Sequence, residues 1–487
     1  MSLRSRVLAD RWLLGLLVAH LVLKVLCYLR VDDVALRGDE TAYAESAAAL
    51  AAFLRGDADA GLLEREVVGA GWFMPGMAVL LTPLFLVLEN PSVAVMRLYL
   101  GVVSTGLLLL AVAVVRRHVG PAYGTALLAF PGLVPIWVLF SFSGWGDLDA
   151  GLLGVVLVAL LVGAGRRAVA GQPPSLRWGL VVGLTCAVTL YLRSNTLPLV
   201  VGLLGLVLLG ALAWLRGPAR RRGVLAGVVA GAVLLGLLLP WSYAASRTLG
   251  DRVVTTSTVP LSLAVAFGDV DRLCFGPCPE GNIWVSAVDY SREVGRGLGV
   301  SELEVQRRMS EYALEGATAH SVAADIEGNV GRYVLDPGGF ESRFRTFRTP
   351  PDGWSTVVTR STEVSYFLVL ALAVVGLLVV VRRSVREQLL SLVASLALAA
   401  TMVQPFVHIS TSRYWPTFAP LLMLLAVLAV RTLGPPLLAR VRGRPPDADE
   451  ITWTPAEPGV VRWLTRLQVV VIAGYVAVAL TVVVLAR

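Results

Sequence analysis

The amino-acid sequence predicts an all-α polytopic membrane protein with about 11 transmembrane helices. The first observation is the composition: of 487 residues, 56% are hydrophobic and only 16% are charged, against about 25% charged in a typical soluble domain. The second is a series of apolar runs, such as 197–215 and 467–486, that approach or reach the ~20 residues needed to cross a bilayer. A water-soluble core does not account for so many runs.

The third observation is the position of the arginines, which are the source of the net charge of +8. They lie in short clusters between the apolar runs, and every second loop is arginine-rich, as the positive-inside rule requires. This pattern indicates membrane insertion rather than nucleic-acid binding, and it places the N-terminus inside and the C-terminus outside. The predicted spans are 12–30, 92–115, 121–142, 148–165, 177–193, 196–215, 223–243, 364–382, 388–406, 415–432 and 467–486.

One apolar run, 72–88, is not counted as a span. It is short and contains two prolines, and counting it would place the pair Arg116 and Arg117 outside. We expect it to form a juxtamembrane helix at the outer interface. The outer loop 31–91 is therefore long. Its alanine-rich stretch 41–54 is predicted to be a second juxtamembrane helix, with Asp39 and Glu40 at the N-terminal end, where acids are favoured.

A second long outer segment covers 244–363. Within it, 302–320 is expected to be an amphipathic helix and the remainder loop-like, with Gly and Pro punctuation. Cys274 and Cys278 lie here, and both a disulfide and free thiols are compatible with the sequence. These features define a module over 1–432, followed by a cytoplasmic linker and the last transmembrane helix over 433–487. The linker includes a stretch rich in Pro and charge, 442–458.

Polar side chains near the outer ends of the spans are the candidate functional residues, because polar groups at membrane depth are costly. Acids here could activate a hydroxyl, and arginines could hold a phosphate. The competing interpretations are helix capping for the acids, snorkelling for the arginines and interfacial anchoring for the tyrosines. The chain lacks a Walker A phosphate loop and a G-x-S-x-G nucleophile elbow. The candidates are Asp39, Glu40, Tyr43, Asp147, Asp149, Arg193, His408, Arg413 and Tyr414.

Four stretches together resemble a known family. R-G-D-E-T-A-Y-A-E at 37–45 is similar to the first outer loop of GT-C superfamily glycosyltransferases. The nearest pattern is that of bacterial relatives of protein O-mannosyltransferases and of the lipid A aminoarabinose transferase. Further similar motifs are S-G-W-G-D-L-D-A at 143–150, Y-L-R-S-N-T-L-P at 191–198 and S-R-Y-W-P-T-F-A-P at 412–420. The chain departs from the family before Pro75, where a basic residue is usual and Met74 stands here.

The resemblance implies a GT-C-like fold and an inverting glycosyltransferase of the bacterial plasma membrane, with an extracytoplasmic active site. The donor would be a polyprenyl-phosphate sugar, and the acceptor a hydroxyl on a glycan, lipid or protein. Asp39 would be the general base, and Arg193 and Arg413 would bind the donor phosphate. Glu40, Asp147 and Asp149 would orient the acceptor, tune Asp39 or hold a divalent cation, whose requirement stays open. Tyr43, His408 and Tyr414 complete the expected site.

Two other function classes stay open from the sequence. A lipid-phosphate flippase or transporter would use the same arginines, although the halves of the chain show no repeat of the kind common in transporters. A polysaccharide polymerase or ligase would take a lipid-diphosphate donor and rely on paired arginines in a large outer loop. Arg343, Arg345 and Arg348 lie close together in such a segment. The sugar, the acceptor and the oligomeric state are not determined by the sequence.

Overall fold

A computed structural model describes residues 3–69, 73–281, 283–338, 340, 353–379, 384–441 and 458–487. Within these ranges every regular element is helical, and nine helices are long and apolar enough to cross a membrane. Each of the nine lies on a predicted span, which confirms a multi-pass α-helical membrane protein. They are Arg11–Tyr28, Val93–His118, Asp147–Val169, Ser194–Trp214, Gly217–Leu249, Gly353–Leu378, Val385–Phe406, Ser412–Pro435 and Arg462–Leu485.

The prediction of one continuous helix over 121–142 is wrong. Two short helices, Pro121–Ala129 and Pro135–Phe140, occupy this stretch. Pro131 and Pro135 explain the break, because proline lacks a backbone N–H and clashes with the preceding turn of a helix. At about 1.5 Å per residue neither piece approaches the ~30 Å of a bilayer core. The remaining predicted span, 177–193, is a helix over Leu176–Leu192, and its 17 residues make it shorter than each of the nine.

Two helices of the first long loop form as expected. The helix α2 covers Asp39–Arg55, and the run 72–88 gives the helix α3 over Gly76–Val87, whose 12 residues are too few to cross a bilayer. The two pack on each other through buried Ala47, Met77 and Leu81. The Arg55 side chain donates to the carbonyl oxygen of Phe85 at 2.7 Å. The start of the run, Trp72, lies outside the described residues.

The segment 244–363 is more helical than predicted, so its assignment as mostly loop is wrong. The helix Gly217–Leu249 extends into it, and four further helices follow: Val259–Phe267, Ile283–Leu298, Glu302–Leu314 and Ala319–Val334. The amphipathic faces of the first three of these bury Leu261, Val288 and Met309 in a small core of their own, which the sequence pattern of each helix alone does not specify. Cys274 and Cys278 form a disulfide beside this core. Arg343, Arg345 and Arg348, and the linker stretch 442–457, lie outside the described residues.

The helix Asp147–Val169, here α7, is the centre of the bundle, with 89% of its apolar stretch buried. It packs against Val93–His118, Leu176–Leu192 and the helix Trp415–Val441. A close approach occurs at Gly151, where a Cβ atom would lie 2.3 Å from the backbone oxygen of Pro416. Only glycine permits this contact, which brings the first turn of α7 against the start of Trp415–Val441. The residues that precede both helices are thereby brought together.

Candidate functional site

Four charged side chains from four parts of the chain meet at one end of the bundle. Arg413 forms an ion pair with Asp39, and Arg193 Nε lies 2.9 Å from Asp147 Oδ1. The Asp147 carboxylate also interacts electrostatically with Arg413 and Asp39, so the two pairs form one group. We call Asp39, Asp147, Arg193 and Arg413 the charge cluster. Its formal charge is zero, which offsets part of the cost of desolvating each member.

Both acids of the charge cluster lie in the first turn of a helix. Gly38, with φ +54°, precedes Asp39, and Gly146, with φ +68°, precedes Asp147. Glycine favours these left-handed conformations, which turn the chain abruptly into the helix. The positive end of each helix dipole then stabilises the carboxylate. A Cβ atom at Gly146 would lie 2.8 Å from Met77 Sδ, so this turn is also where α7 meets α3.

The aromatic ring of Tyr414 lies close to both arginines. The Arg193 and Arg413 guanidinium carbons are 5.6 Å and 5.7 Å from its ring centre, within the range of cation–π contacts. Arg193 additionally donates to the backbone oxygen of Trp145 at 3.3 Å. The guanidinium groups are therefore held in place by aromatic and backbone contacts as well as by their acidic partners.

Tyr43 lies beside the charge cluster and is 4% exposed. Its hydroxyl is electrostatically coupled to all four charges, and its ring packs on Phe73 with ring centres 4.9 Å apart. Burial raises the pKa of Tyr43 above its usual range, so the hydroxyl stays protonated at neutral pH. It can donate a hydrogen bond to a ligand oxygen placed among the charges.

Two polar atoms of the charge cluster have no hydrogen-bond partner among the described residues. They are Asp147 Oδ2 and Arg413 Nε, both buried. The other Asp147 oxygen accepts from the Thr417 hydroxyl at 3.3 Å as well as facing Arg193. A buried polar atom without a partner costs about 1–3 kcal/mol, more when charged. A polar ligand that contacts these two atoms would remove that cost.

Glu40 is directed away from the charge cluster. Its Oε1 lies 3.3 Å from Arg97 Nη1 and accepts the backbone N–H of Gly144 at 2.8 Å. Arg97 also donates to the carbonyl oxygens of Val34, Ala35 and Phe142, at 2.9, 3.2 and 3.2 Å. This buried network ties the loop before α2 to the loop before α7. Sequence reasoning did not single out Arg97, although an arginine inside an apolar run is a signal that would have found it.

Asp149 also lies apart from the charge cluster. Residues two apart on a helix point to different faces, so Asp147 and Asp149 cannot face the same site. Asp149 is hydrogen-bonded to the Ser104 side chain and interacts electrostatically with Lys24. The sequence D-L-D at 147–149 did not show which acid faces the charge cluster. The packing of α7 places Asp147 there.

His408 borders the charge cluster through aromatic contacts. Its ring stacks on Trp284 with centres 5.0 Å apart, and it meets the Tyr414 ring edge-on at 6.2 Å. Burial lowers the pKa of His408, and the nearby Arg413 and Arg193 lower it further. The imidazole is therefore neutral at pH 7. Trp284 comes from the helix Ile283–Leu298, and no signal in the sequence connects it with this site.

The lowered pKa of His408 predicts a pH-dependent contribution to stability. At a pH above the ordinary histidine value of about 6.5 the ring is neutral in the folded and unfolded states, and the contribution is fully present. It is lost as the pH falls through the folded-state pKa, because the unfolded chain binds the proton first. His408→Asn should therefore unfold with a weaker dependence on pH between about 7.5 and 5.5 than the unchanged protein. Thermal unfolding midpoints at both pH values test this, and parallel curves for the two proteins would contradict it.

The donor set at the site does not fit a divalent cation. In the described part of the chain no three His, Cys, Asp or Glu side chains gather where they could hold a metal ion. Both acids of the charge cluster instead face arginines, whose positive charges oppose a cation. The charge cluster therefore does not provide the ligands of a metal site.

No family model, curated protein or solved structure matches the chain. What the site does must therefore be argued from its own residues.

Proposed function

We propose that the protein is a GT-C-like membrane glycosyltransferase that moves a sugar from a polyprenyl-phosphate donor to an acceptor hydroxyl. The observation that carries the proposal is the charge cluster, in which one end of a membrane-spanning bundle presents carboxylates and guanidinium groups side by side. Transfer from a lipid phosphate needs a base for the acceptor and positive charge for the leaving group. The resemblance of four of the chain's motifs to GT-C enzymes supports the same reaction.

The proposed reaction is a single displacement with inversion. Asp39 accepts the proton of the acceptor hydroxyl while that oxygen forms a bond to the anomeric carbon. The bond between this carbon and the donor phosphate oxygen breaks, and its electron pair stays on the phosphate. Arg193 and Arg413 stabilise the negative charge that develops there, and Tyr43 donates to a phosphate or sugar oxygen.

The pairing of Asp39 with Arg413 supports a coupling between donor binding and activation of the base. A guanidinium group binds a carboxylate or a phosphate in the same forked geometry, so the two compete for Arg413. Arg413 Nε is buried without a partner among the described residues, which leaves a donor group available to the incoming phosphate. Donor binding would draw Arg413 away from Asp39 and leave that carboxylate more basic. The acceptor would then be deprotonated only when a donor is present.

The lipid part of the donor also has an apolar surface available. Helix α3 lies against the charge cluster through Gly146 and Met77, and its Val79 and Val87 side chains are exposed. These two side chains lie on the outer surface of the bundle. In a membrane, a polyprenyl chain can lie against them and keep its apolar contacts. The phosphate would then reach Arg193 and Arg413 from the side of the bundle on which α3 lies.

The deciding experiment follows the fate of the donor bond. Purified protein, in lipid nanodiscs and in parallel in lipid vesicles, is incubated with polyprenyl-phosphate or polyprenyl-diphosphate sugars labelled in the sugar. A mixed set of glycan, lipid and peptide acceptors is added. We expect release of free lipid phosphate and label on one acceptor class. Movement of intact donor between leaflets of a vesicle without release would instead identify a lipid-phosphate flippase. Release of lipid diphosphate from a diphosphate-linked donor would identify the polymerase or ligase class.

Arg413→Gln should weaken donor use selectively. Loss of a hydrogen bond to a charged group costs about 1.5–3 kcal/mol, which is a change of about 10- to 100-fold in kcat/KM for the donor. The matched control is Arg360→Gln, because Arg360 is exposed and pairs with Glu363 three residues on. The control should retain full activity. Equal donor kcat/KM for Arg413→Gln and the unchanged protein would remove Arg413 from the donor site.

A further inference from the structure

The end of the bundle opposite the charge cluster carries a second group of arginines. Arg166 lies in the last turn of α7, whose first turn carries Asp147 of the charge cluster. The 23 residues of α7 span roughly 35 Å, so the two groups lie about a bilayer core apart. Arg386 begins another helix of the bundle, and Arg431 lies in the second half of a third. The arginine spacing of the sequence predicts that this end faces the cytoplasm.

Arg386 and Arg431 both approach Tyr123, whose side chain is buried. The Arg431 guanidinium carbon is 5.8 Å from the Tyr123 ring centre, within the range of cation–π contacts. A Cβ atom at Gly120 would lie 3.7 Å from Arg386 Nη1 and 3.7 Å from a Tyr123 ring carbon, so both side chains border that glycine. The Tyr123 hydroxyl also interacts electrostatically with Arg386 and Arg431. We call Tyr123, Arg386 and Arg431 the basic site.

The basic site has hydrogen-bonding capacity that the described residues do not use. The Tyr123 hydroxyl is buried and has no hydrogen-bond partner among them. Arg386 has no acidic partner among them either, and it interacts instead with Arg166, a like charge. Glu387 Oε1 lies 3.6 Å from Arg431 Nε, which is longer than the about 2.7–2.9 Å of a charge-assisted hydrogen bond. The site therefore combines unused donors with an excess of positive charge.

We propose that the basic site binds the phosphate of an anionic phospholipid headgroup. The charged oxygens of a phosphodiester only accept hydrogen bonds, and the site offers them two guanidinium groups and one hydroxyl. The negative charge of the phosphate offsets the repulsion between Arg386 and Arg166. Basic pockets between membrane-spanning helices on the cytoplasmic side are suited to such headgroups.

An apolar surface beside the basic site favours a lipid over a soluble phosphate. Val430 and Leu433 lie beside Arg431 on its helix, and both side chains are exposed. In a membrane, the acyl chains of a lipid held at Arg431 can lie against these side chains. A zwitterionic lipid carries its own ammonium group, which the arginines repel. The inference rests on this geometry and does not depend on the proposed glycosyltransferase activity.

Lipid binding to the full chain tests the proposal. Protein in a neutral detergent is titrated with phosphatidylglycerol or phosphatidylcholine, and bound lipid is counted by native mass spectrometry. We expect tighter binding of phosphatidylglycerol. Arg386→Gln combined with Arg431→Gln should weaken that binding roughly 100-fold, because each change removes a hydrogen bond to a charged group. No preference for phosphatidylglycerol in the unchanged protein would overturn the proposal.

The matched control is Arg221→Gln combined with Arg222→Gln. These two arginines are exposed and lie on the same predicted side of the membrane, and their replacement removes the same charge. The control should bind phosphatidylglycerol as the unchanged protein does. Equal weakening in the two double variants would show that net surface charge, and not the basic site, attracts the lipid.

Tyr123→Phe tests the hydroxyl by itself. It should weaken phosphatidylglycerol binding about 3- to 10-fold, the usual net effect of one hydrogen bond. The thermal midpoint of the lipid-free protein should not fall, because the hydroxyl has no partner to lose among the described residues. A lower midpoint with unchanged lipid binding would remove Tyr123 from the site. Inorganic phosphate should leave bound phosphatidylglycerol in place, and displacement of the lipid by it would assign the site to a soluble phosphate instead.

Discussion

Asp39→Asn is expected to lower sugar transfer by about 10²–10⁴-fold, the usual contribution of a general base, while lipid phosphate binds more tightly. The first effect follows because an amide cannot take the proton of the acceptor hydroxyl. The second follows because Arg413 loses its anionic competitor. Replacing one hydrogen bond between charged groups by a neutral one changes binding by about tenfold. The opposite signs of the two effects make the variant informative.

Both effects can be measured on one preparation. Single-turnover transfer of labelled sugar reports the chemical step, and displacement of bound labelled donor by unlabelled polyprenyl monophosphate reports affinity. The matched control is Asp57→Asn, because Asp57 follows α2 and forms an exposed pair with Arg55. We expect the control to behave as the unchanged protein. Full transfer activity in Asp39→Asn would remove Asp39 as the base, whereas lost transfer with weaker lipid phosphate binding would make Asp39 part of the donor site.

Arg97→Met is expected to cause the largest loss of stability of any change to an arginine within the described ranges. The Arg97 guanidinium is fully buried and serves Glu40 and three backbone carbonyls. Methionine retains much of the volume but leaves the Glu40 carboxylate buried without its cation. Breaking a buried pair on one side costs about 3–5 kcal/mol. Because the same network holds the loop that ends at Asp39, activity should fall with stability.

The thermal midpoint of unfolding and the yield of inserted protein check this prediction. Glu40→Gln should be milder, since the amide oxygen still accepts from Arg97 and from Gly144. Arg117→Met serves as the control for loss of an arginine from the same helix, Val93–His118, at its opposite end. A midpoint for Arg97→Met equal to that of the control would show that the buried network does not anchor the loop before α2.

Features that depend on local sequence were predicted well. Apolar length and arginine spacing located all nine spanning helices, although Gly353–Leu378 begins well before the predicted start at residue 364. The location succeeds because insertion depends on the hydrophobicity of each segment by itself. The same local reasoning found α2 and recognised the short α3. It failed over 121–142, where two prolines outweigh an apolar run, and over 244–363, where each amphipathic helix is stable only against the others.

The sequence alone therefore determined that the chain crosses a membrane several times and that its acids and outer arginines are candidates for one site. Only the tertiary structure decided which charges meet. Asp39 and Arg413 are 374 residues apart in the chain and form an ion pair. Packing at Gly151 brings the helix that carries Asp147 against the helix that follows Arg413. Packing also turned Glu40 toward Arg97 and Asp149 toward Lys24, leaving Asp39 and Asp147 in the charge cluster. Composition and periodicity describe one segment at a time, whereas the partner of a buried charge depends on which helices lie side by side.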